Sequence, residues 1–186
     1  MAFDLSKIEA KLGNLSKELR GKVVNVGIPS DAQYEDGTSL AYVATIQEFG
    51  APAVGIPPRP FFVPTIKNNR DRWVKELAAH VKQINGGQIT ADDALAAVGA
   101  AAVADFQAAV IKIDSPALSP ITVVLREWKK GGTPNGKPIT GATVGLAAKM
   151  LKEGTIQPGS DNKPLNSSGT LLAGFVSKVG KAGDDF

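Results

Sequence analysis

The chain contains no cysteine and one histidine, His80. Disulfides and thiolate chemistry are therefore excluded, and a transition-metal site would have to rest on carboxylates almost alone. Aromatic residues make up 6% of the 186 residues, and net charge is only +3. Without a concentrated basic face, that balance argues weakly for nucleic-acid binding, although the sequence pI is near 9.1. The N-terminal MAFDLSKIEAKL lacks a charged region followed by an apolar core, so no secretory signal is expected. The longest nearly uncharged stretch, Ala94 to Ile111, is mostly alanine and carries Asp105, which reads as too weak for a membrane span. What remains is ordinary for a folded domain, 43% apolar and 21% charged. The expected location is the cytoplasm or a particle assembled there.

The apolar pattern is mainly helical. Asp4 is placed to cap a helix whose Leu5, Ile8, Leu12, Leu15 and Leu19 form a narrow stripe, suited either to the domain's own core or to another chain. Val23 to Ile28 is β-branched and predicts a strand closed by Pro29. A helix is expected from about Ser39, with Leu40, Val43, Ile46 and Phe49 on one side and Gly50 ending it.

A second helix, about Phe62 to Ile84, presents Phe62, Ile66, Trp73, Leu77, Val81 and Ile84 on one face, with Lys67, Arg70, Arg72, Lys75 and Lys82 elsewhere. After Asn85-Gly86-Gly87, Thr90 and Asp93 make a capping box for a third helix to about Ile113, with Leu95, Val98, Ala102, Phe106 and Val110 at helical spacing. The short glycine turn makes the pair an antiparallel hairpin. Further on, a short helix at Ser119 to Lys130 and another around Leu146 to Leu151 sit among Gly/Pro/Asn/Ser-rich loops. Leu171 to Val179 is a turn of helix or a strand; as a strand it would partner Val23 to Ile28. The expected fold class is α+β: a long antiparallel helical hairpin packed on a small antiparallel β-sheet, with a loop-rich C-terminal extension. One domain is expected over 1–186, with its core at about 1–115 plus 166–180 and a loop-rich insertion at about 116–165.

Between the first two of these helices lies a stiff elbow. Ile56, Pro57 and Arg59 each precede a proline, so Ile56 to Pro60 should be a short polyproline-like rod, and Pro64 fits the first turn of the helix that follows. Nothing in the elbow binds a metal or moves a proton.

Other chemistry is thin. GGTPNGKP, Gly131 to Pro138, has phosphate-loop spacing, but Pro138 stands where a Mg²⁺-binding Ser or Thr belongs. No G-x-S-x-G elbow is present, and no partner is singled out for His80 as a base. Asp92-Asp93 and Asp184-Asp185 read as helix-terminal and solvated charge. Pro57 to Pro60 fits P-x-x-P, but between two apolar helices a structural role outweighs a ligand role. No enzyme and no cofactor are expected.

VATIQEFGAPAVGIPPRPFFVPTI, Val43 to Ile66, resembles the signature of the tail-completion or neck proteins of long-tailed bacteriophages, the virion-morphogenesis family with Mu-type members. Ala44, Ile46, Glu48, Phe49 and Gly50 match a first motif; Ile56, Pro57, Arg59, Pro60 and Phe61 match a second. KPLNSSGTLLAGF (Lys163 to Phe175) and LSPITVVLREWKKG, through Ser119, Thr122 and Arg126, are similar to later family segments.

The resemblance implies a virion structural protein at the head–tail junction. It would form a homo-oligomeric ring, a hexamer favoured over a dodecamer, between portal–adaptor and tail-terminator or tail-tube proteins, with DNA passing through and no membrane involved. A tail-terminator or minor tail protein is the nearest alternative, and a DNA-binding module an alternative of another class. Glu48, Phe49, Arg59, Pro60, Phe61 and Phe62 are the candidate interface residues. The elbow should fix the helix angle, with Arg59 paired to a carboxylate, either Glu48 or one from the next subunit. Because Phe61 and Phe62 adjoin, at least one should serve a second surface. Arg59→Ala should then spare the monomer and impair the ring.

Overall fold

The computed structural model describes residues 13, 17, 19–160, 163–165 and 169–184. Most of the expected N-terminal stripe, and Ser168 of the last motif, lie outside them. Leu19 is described and packs against Ile84, Ala91 and Ala94 at the turn end of the helical hairpin.

The fold is α+β. Strand β1, Lys22–Gly27, pairs antiparallel with β2, Val176–Lys181, in a register running from Lys22 opposite Lys181 to Gly27 opposite Val176. Of the two forms open for the C-terminal segment, both occur: a single helical turn, Thr170–Ala173, then the strand. Helix α1, Leu40–Phe49, starts at Ser39, whose hydroxyl accepts from the Tyr42 amide. Helices α2, Phe62–Asn85, and α3, Ala91–Lys112, form the hairpin. The Thr90–Asp93 capping box opens α3 as its residues dictate.

Leu95, Val98, Ala102, Phe106 and Val110 are all buried, so α3 is the central element, packed on α2 and on both strands. By length and composition alone α3 is apolar enough to cross a membrane, with mean hydropathy 1.8, above what its alanines and Asp105 suggest. Its apolar face is here taken up by the hairpin and the sheet. Gly99 sets the spacing to the sheet. A Cβ there would lie 2.6 Å from the Val24 side chain and 2.8 Å from that of Ser177, so a larger residue could not approach so closely.

The 116–165 segment carries both of the short helices expected in it. Helix α4, Pro120–Gly131, is capped by Ser119 with Pro120 at its first position, and it packs on α5, Gly141–Lys152. Helix α5 begins about a turn before the expected Leu146, at the Thr140–Thr143 capping box. Val123, Val124 and Ala147 are buried. Arg126 donates to the Lys163 carbonyl at 2.7 Å, tying α4 to the chain that leads into the last helical turn, α6, Thr170–Ala173.

Candidate functional site: the proline elbow

The last turn of α1 and the elbow close on each other through backbone. The Gly50 amide donates to Ile46 O at 2.7 Å, and the Arg59 amide donates to Gln47 O at 2.7 Å. Between them Ala51 and Ile56 exchange two backbone bonds, 2.8 and 3.1 Å, around the 3₁₀ turn Pro52–Val54. Gly50 has φ 75°, and a Cβ on it would sit 2.8 Å from Pro58 N; both facts require glycine.

Glu48 is buried, and its carboxylate does not meet Arg59. One oxygen, Oε2, accepts from the amides of Phe61 (2.7 Å) and Phe62 (2.8 Å), and Oε1 accepts from Val63 (3.0 Å). These are the first unpaired amides of α2, where the helix dipole favours negative charge. Residue 64 is proline and has no amide to satisfy. Glu48 therefore completes the N-terminal capping of a 24-residue helix from a different helix.

Arg59 is buried as well, and its partners correct the expected carboxylate pair. Its Nε donates to Pro116 O (2.8 Å), Nη2 to Ala117 O (3.2 Å) and Nη1 to Gln47 Oε1 (3.2 Å). A planar guanidinium suits two adjacent carbonyls, so the side chain bolts the elbow to the α3–α4 connection. Burial, and secondarily the like charge of Arg126, hold the Arg59 guanidinium below its usual pKa range.

Phe61 and Phe62 both turn inward, against the expectation that one would serve a second surface. Phe61 precedes the helix, with φ −128° and ψ −28°, so helical angular spacing does not separate the two rings. Phe61 meets Phe175 edge-on at 6.0 Å, and Phe62 stacks on Phe106 at 4.6 Å. Phe106 in turn stacks on Phe175 at 5.4 Å and touches Trp73. Of the six candidate residues, Phe49 and Pro60 are exposed; Glu48, Arg59 and Phe61 are buried and Phe62 half-buried.

A groove of about 290 Å³ runs beside the joint, lined by Ile28, Ala41, Ala44, Thr45, Phe49 and Val63 among others. Phe49 is 67% exposed and Val63 54%, and Tyr42 (63%) and Ile66 (37%) continue the open apolar surface on the same two helices. Ile66 thus stays outside the core that helical spacing assigned it to.

Elsewhere, three amides of the phosphate-loop lookalike are engaged, one with α4 and two within the loop. Gly132 N donates to Trp128 O, Gly136 N to Thr133 O, and Lys137 N to Asn135 Oδ1. Among the described residues no group of three His, Asp or Glu could hold a metal. His80 is half-buried and bonds Gln83; Asp93 caps α3 and Asp92 pairs with Lys22. The basic side of α2 is partly neutralised, because Arg72 pairs with both Glu76 and Asp105. Pro116 and Ala117 belong to the joint without any motif to announce them, and Gln47 occupies an unassigned position between the motif residues Ile46 and Glu48. Comparison with protein-family models, curated proteins and solved structures finds no match to this chain.

Proposed function

We propose that this protein is a structural subunit of a bacteriophage virion that forms a ring at the neck, joining the portal–adaptor complex to the tail while DNA passes through. The observation that carries the reading is the joint. Buried Glu48 and Arg59 fix the angle between α1 and the hairpin, while Tyr42, Phe49, Val63 and Ile66 stay open and apolar on its outer side. A ring subunit needs both properties, because angular error accumulates around a closed circle and the contact between copies must bury apolar surface. In this reading Phe49 and Pro60 face a neighbour, and Glu48, Arg59, Phe61 and Phe62 hold that face in place. The resemblance of Val43–Ile66 and the two later segments to neck proteins supports the same role.

The test is native mass measurement of the purified chain together with imaging of particles assembled without it. A cyclic oligomer, and heads that fail to unite with tails in its absence, are the expected results. Normal joining without it overturns the proposal. Copurification with tails in the absence of heads reassigns it to the tail terminus. Steeply salt-dependent DNA affinity of the isolated chain would favour a nucleic-acid module instead.

A further inference from the structure

Helices α4 and α5 pack substantially on each other and on no other helix or strand among the described residues. The chain enters this pair along 113–119 and leaves it along 153–160, stretches without helix or strand that carry Pro116, Gly154, Pro158 and Gly159. Two clefts open along the seam between the pair and the rest of the fold. One, of about 180 Å³, is lined by Tyr34, Val43 and Gln47 from the core and by Thr122 and Arg126 from α4. The other, of about 750 Å³, is lined by Asp36 on the core side and by Trp128, Lys129 and the 132–139 loop on the other. Two guanidiniums bridge the seam. Arg59 donates to the Pro116 and Ala117 carbonyls, and Arg126 to that of Lys163. Val123 and Val124 are both buried, and at about 100° apart on one helix they share that burial between α5 and the seam.

Protein interiors are ordinarily packed with few voids larger than a water molecule, so a seam flanked by two clefts forgoes dispersion contacts. Elements with few buried contacts open at free energies below that of global unfolding, as cooperative units. We infer that α4 and α5 form a flap that swings away from the α2–α3 core as one body, with Arg59 as its latch. In the closed form the guanidinium ties the elbow to residues 116 and 117 while holding Gln47 Oε1 on α1. Opening takes away its two carbonyls and leaves Glu48 and the Arg59 amide to hold the joint. A partner that keeps the flap shut therefore stiffens the joint, a coupling that holds whether or not the chain forms a ring.

Native-state hydrogen exchange of the full chain tests the flap. In the parent, the amides of α4 and α5 should exchange through one shared opening that depends weakly on added urea. The slowest amides of α3 should follow global unfolding and depend on urea steeply. Gly99→Ala strains the helix–sheet contact, away from the seam. It should accelerate the α3 amides about 5- to 150-fold and leave those of α4 and α5 unchanged. Arg59→Lys should accelerate α4 and α5 by about tenfold or more. Exchange of α4 and α5 that rises in step with α3, in urea or in Gly99→Ala, means that they open only with the whole chain and overturns the flap. Separate opening of α4 and α5 overturns the single body, and rates unmoved by Arg59→Lys overturn the latch. The urea series on the parent needs no variant and decides the matter alone where Gly99→Ala does not fold.

Discussion

The substitution Glu48→Gln exchanges one carboxylate oxygen for an NH₂ group and tests the joint directly. The amide side chain so introduced can still accept from Phe61 and Phe62 through its carbonyl oxygen, but its NH₂ would then face the Val63 amide, donor against donor. Two charge-assisted bonds become neutral ones, each weaker by about 1 kcal/mol, and one part-buried amide loses its acceptor, at about 1–3 kcal/mol. Loss of the charge at the α2 N-terminus adds about 0.5 kcal/mol. The sum is about 3.5–5.5 kcal/mol, well above the ~1 kcal/mol of an exposed cap. For a chain of this length that lowers the melting temperature by about 7–22 °C. Thermal and urea denaturation of the two proteins measure it, and hydrogen exchange of the amides at 61–63 should accelerate in the variant beyond the global change. A loss below about 1 kcal/mol, with those amides still protected, would show that the carboxylate does not hold the joint.

Three further outcomes follow from the same geometry. Arg59→Ala should destabilise the monomer itself by about 3 kcal/mol, because the Gln47, Pro116 and Ala117 oxygens lose charged donors, and Arg59→Lys should recover less than half of that in urea unfolding. Gly99→Ala should destabilise by about 1–3 kcal/mol through collision with Val24 and Ser177, whereas Gly145→Ala on α5, with open space around it, should stabilise by about 0.5–1 kcal/mol; equal effects would refute the close helix–sheet approach. Hydrogen bonds from Thr90, first its side chain and then its backbone, hold the Asp93 carboxyl below its ordinary pKa. That contribution to stability is present above the unfolded-state pKa, near pH 4, and is lost as pH falls through the lower folded value; Asp93→Asn should flatten the acid limb of the stability curve there.

Legibility in the sequence follows the range of the signal. The starts of α1, α3 and α4 are readable because Ser39, Thr90 with Asp93, and Ser119 act on amides within three residues. The buried stripe of α3 is readable because one helix repeats it five times. The start of α2 at Phe62 is also readable, but Phe61 is its N-cap and stands outside the helix, so helical spacing misleads about where that ring points. Two of the three partners of Arg59 are 57 and 58 residues away and are main-chain oxygens, which no side-chain pattern marks. Glu48 looks like a counter-ion for that arginine by composition. The amides of α2 compete for it better, because three donors converge there and Pro64 leaves no fourth to satisfy.

The joint's two charges act mainly on peptide groups: Glu48 on three amides, and Arg59 on two carbonyls and one side-chain amide. Mutational drift at positions 116 and 117 would therefore leave the guanidinium's two main-chain acceptors in place, whatever residues arrive there. Paired substitutions, the usual trace of a tertiary contact in diverging sequences, should be nearly silent at this hinge, and relatives should share its geometry while showing little correlated change around it.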